Sequence, residues 1–309
     1  MNWLSGGWLA FAFLVFPGFL FSSTIGLALT WVDRFVSARV QWRTGPPVFQ
    51  PFADVLKLLL KETVVPAGAA RVTFLLAPML GLASMCITAV LLFYANFYPQ
   101  ASFVGDVIVL VYLLALPPLG LILGASASRN PLSAVGASRE MTLYLGYELP
   151  FLLALVVPII KTGGALRLGD LVLAQHANGP FLYSVSGVIA ALIVLVCVQA
   201  KLGYPPFDIA EAEQEIMSGV LIEYSGAPLA IFRITKAMML FLMPLFLVTM
   251  FWGGLASWWA ILKFLLVVVL VVLIKNTNPR FKIDHALRFF WFGLGALGII
   301  AVILAFARV

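Results

Sequence analysis

Long apolar runs alternate with short polar connections along most of the chain. Eight of these runs are each close to the roughly 20 residues that an α-helix needs to cross a bilayer. We predict spans at about residues 8–31, 72–96, 106–126, 138–160, 180–200, 228–252, 257–275 and 286–307. The pattern therefore predicts an all-α integral membrane protein with about eight transmembrane helices.

The composition supports the same fold class. Of the 309 residues, 63% are hydrophobic and 10% are charged, whereas a soluble domain carries about 25% charged residues. We therefore expect a single membrane domain over residues 1–309 instead of two soluble domains. The net charge is +6. In a membrane protein such an excess usually comes from Lys and Arg in the cytoplasmic loops. The scattered basic residues do not favour nucleic-acid binding.

The cysteine and histidine residues form no ligand pattern. Cys86 and Cys197 lie in separate apolar runs, and His176 and His285 are far apart in the chain. We recognise no metal, haem, iron–sulfur or nucleotide motif. We therefore expect no cofactor in this chain, so that electron transfer would belong to other subunits.

The basic residues predict the orientation of the spans. Lys and Arg are concentrated in the connections after the first, third, fifth and seventh spans, whereas the other side has Lys161, Arg167 and Arg308. Cytoplasmic loops carry the excess of Lys and Arg in membrane proteins. We therefore predict a multi-pass protein of the cell inner or plasma membrane with both termini outside.

The cytoplasmic connection at residues 33–71 is longer than a simple turn. Residues 52–62 show the pattern of an amphipathic helix, in which Asp54 and Lys57 form an i,i+3 pair. Such a helix lies in the headgroup layer or presents a docking face to a soluble partner, and the length of the connection favours docking. The candidate docking residues here are Arg34, Arg39, Arg43, Asp54 and Lys57.

The predicted span at residues 138–160 begins with polar residues that share one helical face. These residues are Glu140, Tyr144, Tyr147 and Glu148. Glu148 lies about ten residues into the span, near the middle of a hydrocarbon core about 30 Å thick. An isolated carboxylate there costs roughly 2.5 kcal/mol or more. A neutral Glu in a helix–helix hydrogen bond is one explanation, and a proton relay, which we favour, is the other.

The cytoplasmic connection at residues 201–227 is rich in acidic residues. These are Asp208, Glu211, Glu213, Glu215 and Glu223. Asp208 and Glu211 have the spacing of a capping box, and with Glu215 they would share one face of a helix. Clustered carboxylates in a poorly hydrated site titrate as a group, as a proton store requires. The candidate charge partners are Arg139, Lys201, Arg233 and Lys236.

Three segments in this order resemble the H subunit of NADH–quinone oxidoreductase, in the complex I superfamily. They are Arg39–Pro46, Ala137–Glu140 with Tyr147 and Glu148, and Pro206–Gly226, and the resemblance covers essentially the whole chain. Pro47 stands where quinone-reducing members typically have Asn, and Ala210 stands where they often have Pro. In these departures the chain is similar to the equivalent membrane subunit of energy-converting, membrane-bound [NiFe] hydrogenases.

The resemblance implies a membrane subunit without catalysis of its own. It would anchor a hydrogenase-like module on the cytoplasmic side, in which the large subunit carries a [NiFe] centre and the small subunit carries iron–sulfur clusters. Electron transfer in that module would change the proton demand of the acidic connection. Glu140 and Glu148 would pass this change into the membrane, where antiporter-like subunits would move H⁺ or Na⁺.

Three other functions are alternatives at this point. The first is the quinone-site H subunit of an NADH–quinone oxidoreductase, and the second is a passive membrane anchor, which would need no Glu148. The third is an independent secondary transporter. Transporters often contain internal repeats with matched broken helices, and the break at Pro205-Pro206 has no counterpart in the first half of the chain.

Overall fold

The computed structural model describes residues 6–255 and 258–307, without the side chain of Glu213. Arg308, which contributed to the predicted orientation, lies outside the described residues. The helices in chain order are α1 (Gly6–Leu14), α2 (Phe19–Val40), α3 (Gln50–Leu60), α4 (Arg71–Phe97), α5 (Asp106–Ala127), α6 (Pro131–Lys161), α7 (Leu168–Asn178), α8 (Val185–Lys201), α9 (Glu213–Ile216), α10 (Gly226–Phe251), α11 (Trp259–Thr277), α12 (Ile283–Arg288) and α13 (Gly295–Phe306). A π-helical turn at Phe289–Leu294 joins α12 to α13.

Seven helical segments in the described chain are long and apolar enough to cross a membrane. They are Gly7–Val40, α4, α5, α6, α10, α11 and Ile283–Phe306. The prediction of an all-α membrane protein is therefore confirmed. The predicted span at residues 180–200 is α8, which has only 17 residues. At about 25 Å it is shorter than a hydrocarbon core of about 30 Å.

Several helices run past the ends that the apolar pattern predicted. The first predicted span stops at residue 31, but α2 continues to Val40, and α6 begins at Pro131 instead of residue 138. The amphipathic helix α3 lies two residues earlier than predicted. Hydropathy marks only the apolar part of a helix, whereas backbone hydrogen bonding continues into polar sequence whose side chains face water or other polar groups.

The helix α7 was not predicted. Its buried Gln175 side chain, together with Asn96, binds groups at the end of α10. Gln175 donates a hydrogen bond to the carbonyl oxygen of Thr249 at 2.9 Å and accepts one from the nitrogen of Gly253 at 2.8 Å. The side chain of Asn96 also donates to the Thr249 hydroxyl at 3.1 Å and accepts from the nitrogen of Leu255. These bonds satisfy backbone groups at the end of α10.

The chain divides into two compact units. Unit 1 comprises Met1–Val90, Tyr112–Met141 and Asp208–Leu242. Unit 2 comprises Leu91–Val111, Thr142–Phe207 and Met243–Val309. The long helices α4, α5, α6 and α10 each contribute residues to both units. Glu140 therefore belongs to unit 1 and Glu148 to unit 2.

In unit 1, the end of the acidic connection is fixed to α4 by Tyr224. The rings of Tyr224 and Phe74 stack in parallel with centroids 4.1 Å apart. The Tyr224 hydroxyl donates a hydrogen bond to the Phe74 carbonyl oxygen at 3.0 Å, and burial raises the pKa of this hydroxyl. The edge of the ring also contacts Phe232 on α10. Two helices therefore hold the segment that precedes α10.

In unit 2, buried aromatic rings pack against one face of the second half of α6. Phe151 packs against Phe246 with ring centroids 6.0 Å apart, and Tyr147 packs against Phe290 at 6.2 Å. All four side chains are fully buried. This face of α6 is therefore part of a closely packed apolar core.

Candidate functional site

Glu140 is a nearly buried carboxyl group on α6 in unit 1, with 6% of its surface exposed. Its electrostatic neighbours are Glu211, Lys236 and Asp208. The ammonium group of Lys236 on α10 donates hydrogen bonds to both carboxylate oxygens of Glu211 at 2.9 Å. We call these four residues the Glu140 cluster. It brings together three carboxyl groups and one ammonium group.

The backbone places Asp208 and Glu211 differently from the sequence prediction. In the described backbone no helix begins at Asp208, because α9 begins at Glu213 and its N-cap residue, Ala212, makes no side-chain cap hydrogen bond. The predicted capping box is therefore wrong. The shared helical face of Asp208, Glu211 and Glu215 is also wrong, because α9 has only four residues.

Close packing against α6 explains why this segment is not a longer helix. A Cβ atom on Gly136 would come within 2.7 Å of the Val220 nitrogen and 3.1 Å of the Ala210 carbonyl oxygen. Such an approach of backbone to backbone requires glycine. Met217 and Ser218 also have φ angles of 50° and 73°, which a continuous right-handed helix does not contain. Tertiary contacts therefore override the helical spacing of the acids.

Two other acids of the connection form separate polar contacts. Glu215, whose side chain is 54% exposed, accepts a hydrogen bond from Arg139 at 2.6 Å. Glu223 accepts one from the amide group of Asn130, a residue that the sequence did not single out. The side chain of Glu213 lies outside the described residues. In the described part of the chain, no group of three His, Cys, Asp or Glu residues is arranged to hold a metal ion.

Glu148 is paired with Lys201 in unit 2. The two charged groups are 2.6 Å apart, and the Lys201 side chain is fully buried. Aromatic rings also face the ammonium group: its nitrogen lies 4.6 Å from the ring centroid of Phe151 and 4.9 Å from that of Tyr147. The ring of Tyr144 is 6.0 Å away. Lys201 is therefore the charge partner of Glu148 and not a surface docking residue.

The turn that follows Lys201 is also fixed in unit 2. Gln199 is fully buried and donates a hydrogen bond to the Pro205 carbonyl oxygen at 2.8 Å. The carbonyl oxygen of Pro206 accepts one from the nitrogen of Phe281. Phe207 then packs against the aromatic rings of Phe281, Phe289 and Phe290. Gln199 was missed, although a polar amide inside an apolar run is a signal that sequence reasoning could use.

The predicted pair of Asp54 and Lys57 is replaced by a longer-range pair in unit 1. Asp54 accepts hydrogen bonds from Arg34 at 2.8 Å and from Gln50 at 2.9 Å. Burial by itself raises the pKa of Asp54, but the hydrogen bonds and the positive charges of Arg34 and Arg233 outweigh it and hold the pKa below its usual value. The docking candidates Arg39, Arg43 and Lys57 are exposed, and so is the candidate charge partner Arg233.

The helix α3 turns apolar side chains outward. Val55 is buried, whereas Leu56, Leu59 and Leu60 are 58%, 49% and 80% exposed. An exposed apolar face beside charged groups suits a lipid interface or a protein partner. Both explanations of the amphipathic pattern therefore stay open.

Comparison with known proteins covers nearly the whole chain. The family model described as NADH dehydrogenase matches residues 12–306. The H subunit of the NADH-quinone oxidoreductase of Thermomicrobium roseum is 33% identical over 291 residues, which cover 85% of each chain. The protein of the same name from Anoxybacillus flavithermus is 32% identical over 277 residues, covering 84% of this chain and 82% of that one.

A solved structure shares the fold. One chain of the membrane-bound sulfane sulfur reductase, an archaeal respiratory membrane complex, matches with a TM-score of 0.85 and 26% sequence identity. The match covers 97% of this chain and 99% of that chain. The similarity therefore extends over both units and is not confined to one helical segment.

Proposed function

Because the chain belongs to the NADH dehydrogenase family, as a membrane component of a complex I-like complex, we propose that it couples electron transfer to ion movement. The electrons would flow in a soluble module docked on the cytoplasmic side. The observation that carries the proposal is the Glu140 cluster, which combines three carboxyl groups with one ammonium group and has members on the membrane-spanning helices α6 and α10.

The cluster has the charge balance of a proton store. When all four groups are ionised, it has an excess of negative charge, and Glu140 is nearly buried. Carboxylates that face one another repel, and a proton on one of them relieves that repulsion. A change of charge in a docked redox module would therefore change the number of protons that the cluster holds.

The relay that we propose continues along α6. Glu140 and Glu148 are two helical turns apart, a rise of about 12 Å, and Tyr144 and Tyr147 lie between them in the sequence. In this mechanism, protons pass between the acids of the connection, Glu211, Glu213, Glu215 and Glu223, and the docked module. The carboxyl groups on α6 then respond, and antiporter-like subunits move H⁺ or Na⁺.

For the docked module we propose a hydrogenase-like pair of proteins that carries a [NiFe] centre and iron–sulfur clusters. Pro47 and Ala210 support this branch, since both depart from the quinone-reducing pattern. The names of the two bacterial relatives favour a second candidate, in which the partner module reduces a quinone. The complex purified with its native partners distinguishes the two: stoichiometric nickel supports the first, and electron transfer to a soluble quinone supports the second.

Glu140→Gln tests the coupling role. We expect the complex to assemble and transfer electrons, while ion uptake into membrane vesicles falls by about 10²-fold, the lower range for loss of a positioned proton-transfer group. Glu62→Gln, which changes an exposed Glu in the first connection, is the matched control and keeps full uptake. Full uptake in Glu140→Gln would leave a passive anchor as the better explanation.

Glu148 needs a paired variant, because Glu148→Gln alone leaves the buried ammonium of Lys201 without its carboxylate. The double variant Glu148→Gln/Lys201→Met removes both charges. If Glu148 belongs to the relay, the double variant assembles but loses ion uptake. If the pair is only structural, the double variant assembles and keeps its ion uptake.

A further inference from the structure

The end of the acidic connection contacts several other parts of unit 1. Glu223 accepts a hydrogen bond from Asn130, in the turn between α5 and α6. The Ser225 hydroxyl accepts one at 3.1 Å from the nitrogen of Val64, in the connection between α3 and α4. Tyr224, between these two residues, contacts α4 and α10. The coupling mechanism uses Glu223, but it gives Tyr224 no role.

The Tyr224 hydroxyl lies where a proline interrupts the hydrogen-bond ladder of α4. Proline has no backbone N–H, so Pro78 cannot donate to the carbonyl oxygen of Phe74, four residues earlier. Tyr224 donates to that oxygen at 3.0 Å. Phe74 is fully buried, and a buried acceptor without a donor costs free energy. The hydroxyl therefore supplies, from a distant part of the chain, the donor that α4 lacks.

The neighbouring helix α5 leaves room for this hydroxyl. A Cβ atom on Gly124 would overlap the Tyr224 hydroxyl and would lie 3.2 Å from the Cβ of Ala77. Only a residue without a side chain leaves this space open. The Tyr224 hydroxyl is thus enclosed by α5 on one side and hydrogen-bonded to α4 on the other.

Contacts with α10 connect the interrupted ladder to the Glu140 cluster. The Tyr224 ring meets the Phe232 ring edge-on with centroids 4.8 Å apart, and Phe232 lies one helical turn before Lys236 on the same face of α10. Three residues beyond Pro78, a Cβ atom on Gly81 would lie 3.3 Å from the methyl carbon of Thr235. Thr235 directly precedes Lys236. A change in the path of α4 would therefore move the part of α10 that carries the ammonium group of the cluster.

We propose that Tyr224 is a positioning residue for the Glu140 cluster. Because it is bound to the interrupted ladder of α4, a movement of the acidic connection changes the path of α4. Through α10, this movement changes the distance between the Lys236 ammonium group and the carboxylates of the cluster. That distance decides how strongly the carboxylates are compensated. The inference rests on the coupling function proposed above and adds to it a step from the connection to the membrane-spanning helices.

A double-mutant cycle on the purified complex tests the hydrogen bond. Tyr224→Phe keeps the ring but leaves the Phe74 carbonyl oxygen without its donor, so the midpoint of thermal unfolding should fall by roughly 2–10 °C. Pro78→Ala supplies a backbone N–H to the same oxygen. In the Pro78→Ala background, Tyr224→Phe should therefore lower the midpoint much less. Equal losses in the two backgrounds would show that the hydroxyl does not serve the interrupted ladder, and would overturn the proposal.

Ion uptake per electron in membrane vesicles tests the positioning role. Tyr224→Phe should lower this ratio by about 2- to 30-fold, the range for residues that transmit coupling without contacting a ligand. The double variant Pro78→Ala/Tyr224→Phe should regain stability but not the ratio. Tyr112→Phe is the matched control and keeps the ratio, because Tyr112 lies on α5 in unit 1 and is 71% exposed. A wild-type ratio in the double variant would mean that the hydroxyl only completes α4, and would overturn the proposal.

Glu140→Gln separates failure of this inference from failure of the coupling function. If Glu140→Gln loses ion uptake while Tyr224→Phe keeps the wild-type ratio, the cluster couples but Tyr224 does not position it. If Glu140→Gln keeps full uptake, the coupling function itself is wrong and the role of Tyr224 falls with it. Loss in both variants, with wild-type values in Glu62→Gln and Tyr112→Phe, supports both proposals.

Discussion

The two ionic sites on α6 differ in their balance of charge. In unit 2, one carboxylate, Glu148, meets one ammonium group, Lys201, whose side chain is fully buried. In unit 1, Glu140 faces two further carboxyl groups and one ammonium group. The Glu211 and Lys236 side chains of that cluster are 27% and 31% exposed. One helix thus carries a balanced, buried pair and an unbalanced, partly hydrated cluster.

This difference in charge balance and burial predicts different chemistry at the two sites. A balanced pair with a buried ammonium group is costly to break, because removing either partner leaves the other uncompensated. In a cluster with excess negative charge and partly exposed side chains, a proton on one carboxyl group would relieve repulsion among the others. We therefore expect proton exchange with a docked module to occur at the Glu140 cluster. The aromatic-lined pair of Glu148 and Lys201 would respond to that exchange later.

The largest effect that we expect is in unit 2, from Lys201→Met. It leaves Glu148 without its cation in an apolar core, and breaking a buried pair in this way costs about 3–5 kcal/mol. The midpoint of thermal unfolding in detergent should fall steeply. The double variant Glu148→Gln/Lys201→Met should recover most of that loss, because it leaves no uncompensated charge.

Lys275→Met is the matched control for this experiment. Lys275 lies 4.5 Å from the ring centroid of Tyr204 and is only partly buried. A partly exposed cation over a ring contributes about 0.5–1 kcal/mol, so this variant should lose much less stability. Similar losses for the two lysine variants would mean that burial of the Glu148–Lys201 pair is not what makes it costly to break.

The second prediction compares two glycines on α6, one in each unit. Gly136→Ala forces a methyl group against the backbone of the acidic connection, and overpacking of this kind costs about 1–3 kcal/mol. At Gly146 the nearest atom is the end of the Leu287 side chain at 3.2 Å, which can move. Gly146→Ala should therefore be close to neutral, because alanine also favours a helix by up to about 1 kcal/mol.

Gly136→Ala should also move the acidic connection relative to Glu140. The contacts of Gly136 with Val220 and Ala210 lie within unit 1, as Glu140 does. Ion uptake per electron is the second measurement, made beside the unfolding midpoint. Loss of coupling in Gly136→Ala but not in Gly146→Ala would support the assignment of proton exchange to unit 1. Loss of coupling in Gly146→Ala but not in Gly136→Ala would place proton exchange at the Glu148–Lys201 pair in unit 2.

The smallest effect concerns the half-exposed pair of Arg34 and Asp54. Asp54→Asn should lower the free energy of unfolding by at most about 1 kcal/mol at neutral pH. Because the folded-state pKa of Asp54 is lowered, the contribution of the pair is present above the unfolded pKa of about 3.9. It is lost as the pH falls through the folded-state pKa.

The pH dependence of unfolding checks this prediction. The difference between the native protein and Asp54→Asn should begin to shrink near pH 4. Arg34→Gln should show the same dependence, because it removes the other half of the pair. A difference that grows as the solution becomes more acidic would contradict the sign of the pKa shift.

Much of the membrane fold could be predicted from apolar runs. The run that became α10 was placed correctly to within a few residues, because nearly all of its apolar stretch is buried and uninterrupted. The run that became α8 was not recognised as a shorter helix, because hydropathy counts apolar residues and does not detect the cap at Ser184.

The partners of the acids could be predicted less well. Asp54 was paired with Lys57 in the same helix, although Arg34 in another helix takes that place. Asp208 and Glu211 were expected to cap a helix, but packing at Gly136 holds that segment in an irregular path. Asp33 is a buried carboxyl group on α2, although its place in the sequence indicates only the start of a polar connection. Local spacing cannot report contacts between residues that are distant in the chain.

The sequence by itself determined the membrane class, the helical architecture and the family, because apolar length and motif order are properties of neighbouring residues. It also located Glu140 and Glu148 on one helix. Only the tertiary structure decided how charge is distributed around them. Lys201 is two residues from Gln199 on a helix end, and nothing local indicates that it is buried against Glu148. A buried charge is compensated by whichever group the fold brings within a few ångströms, and that distance is set by packing between helices.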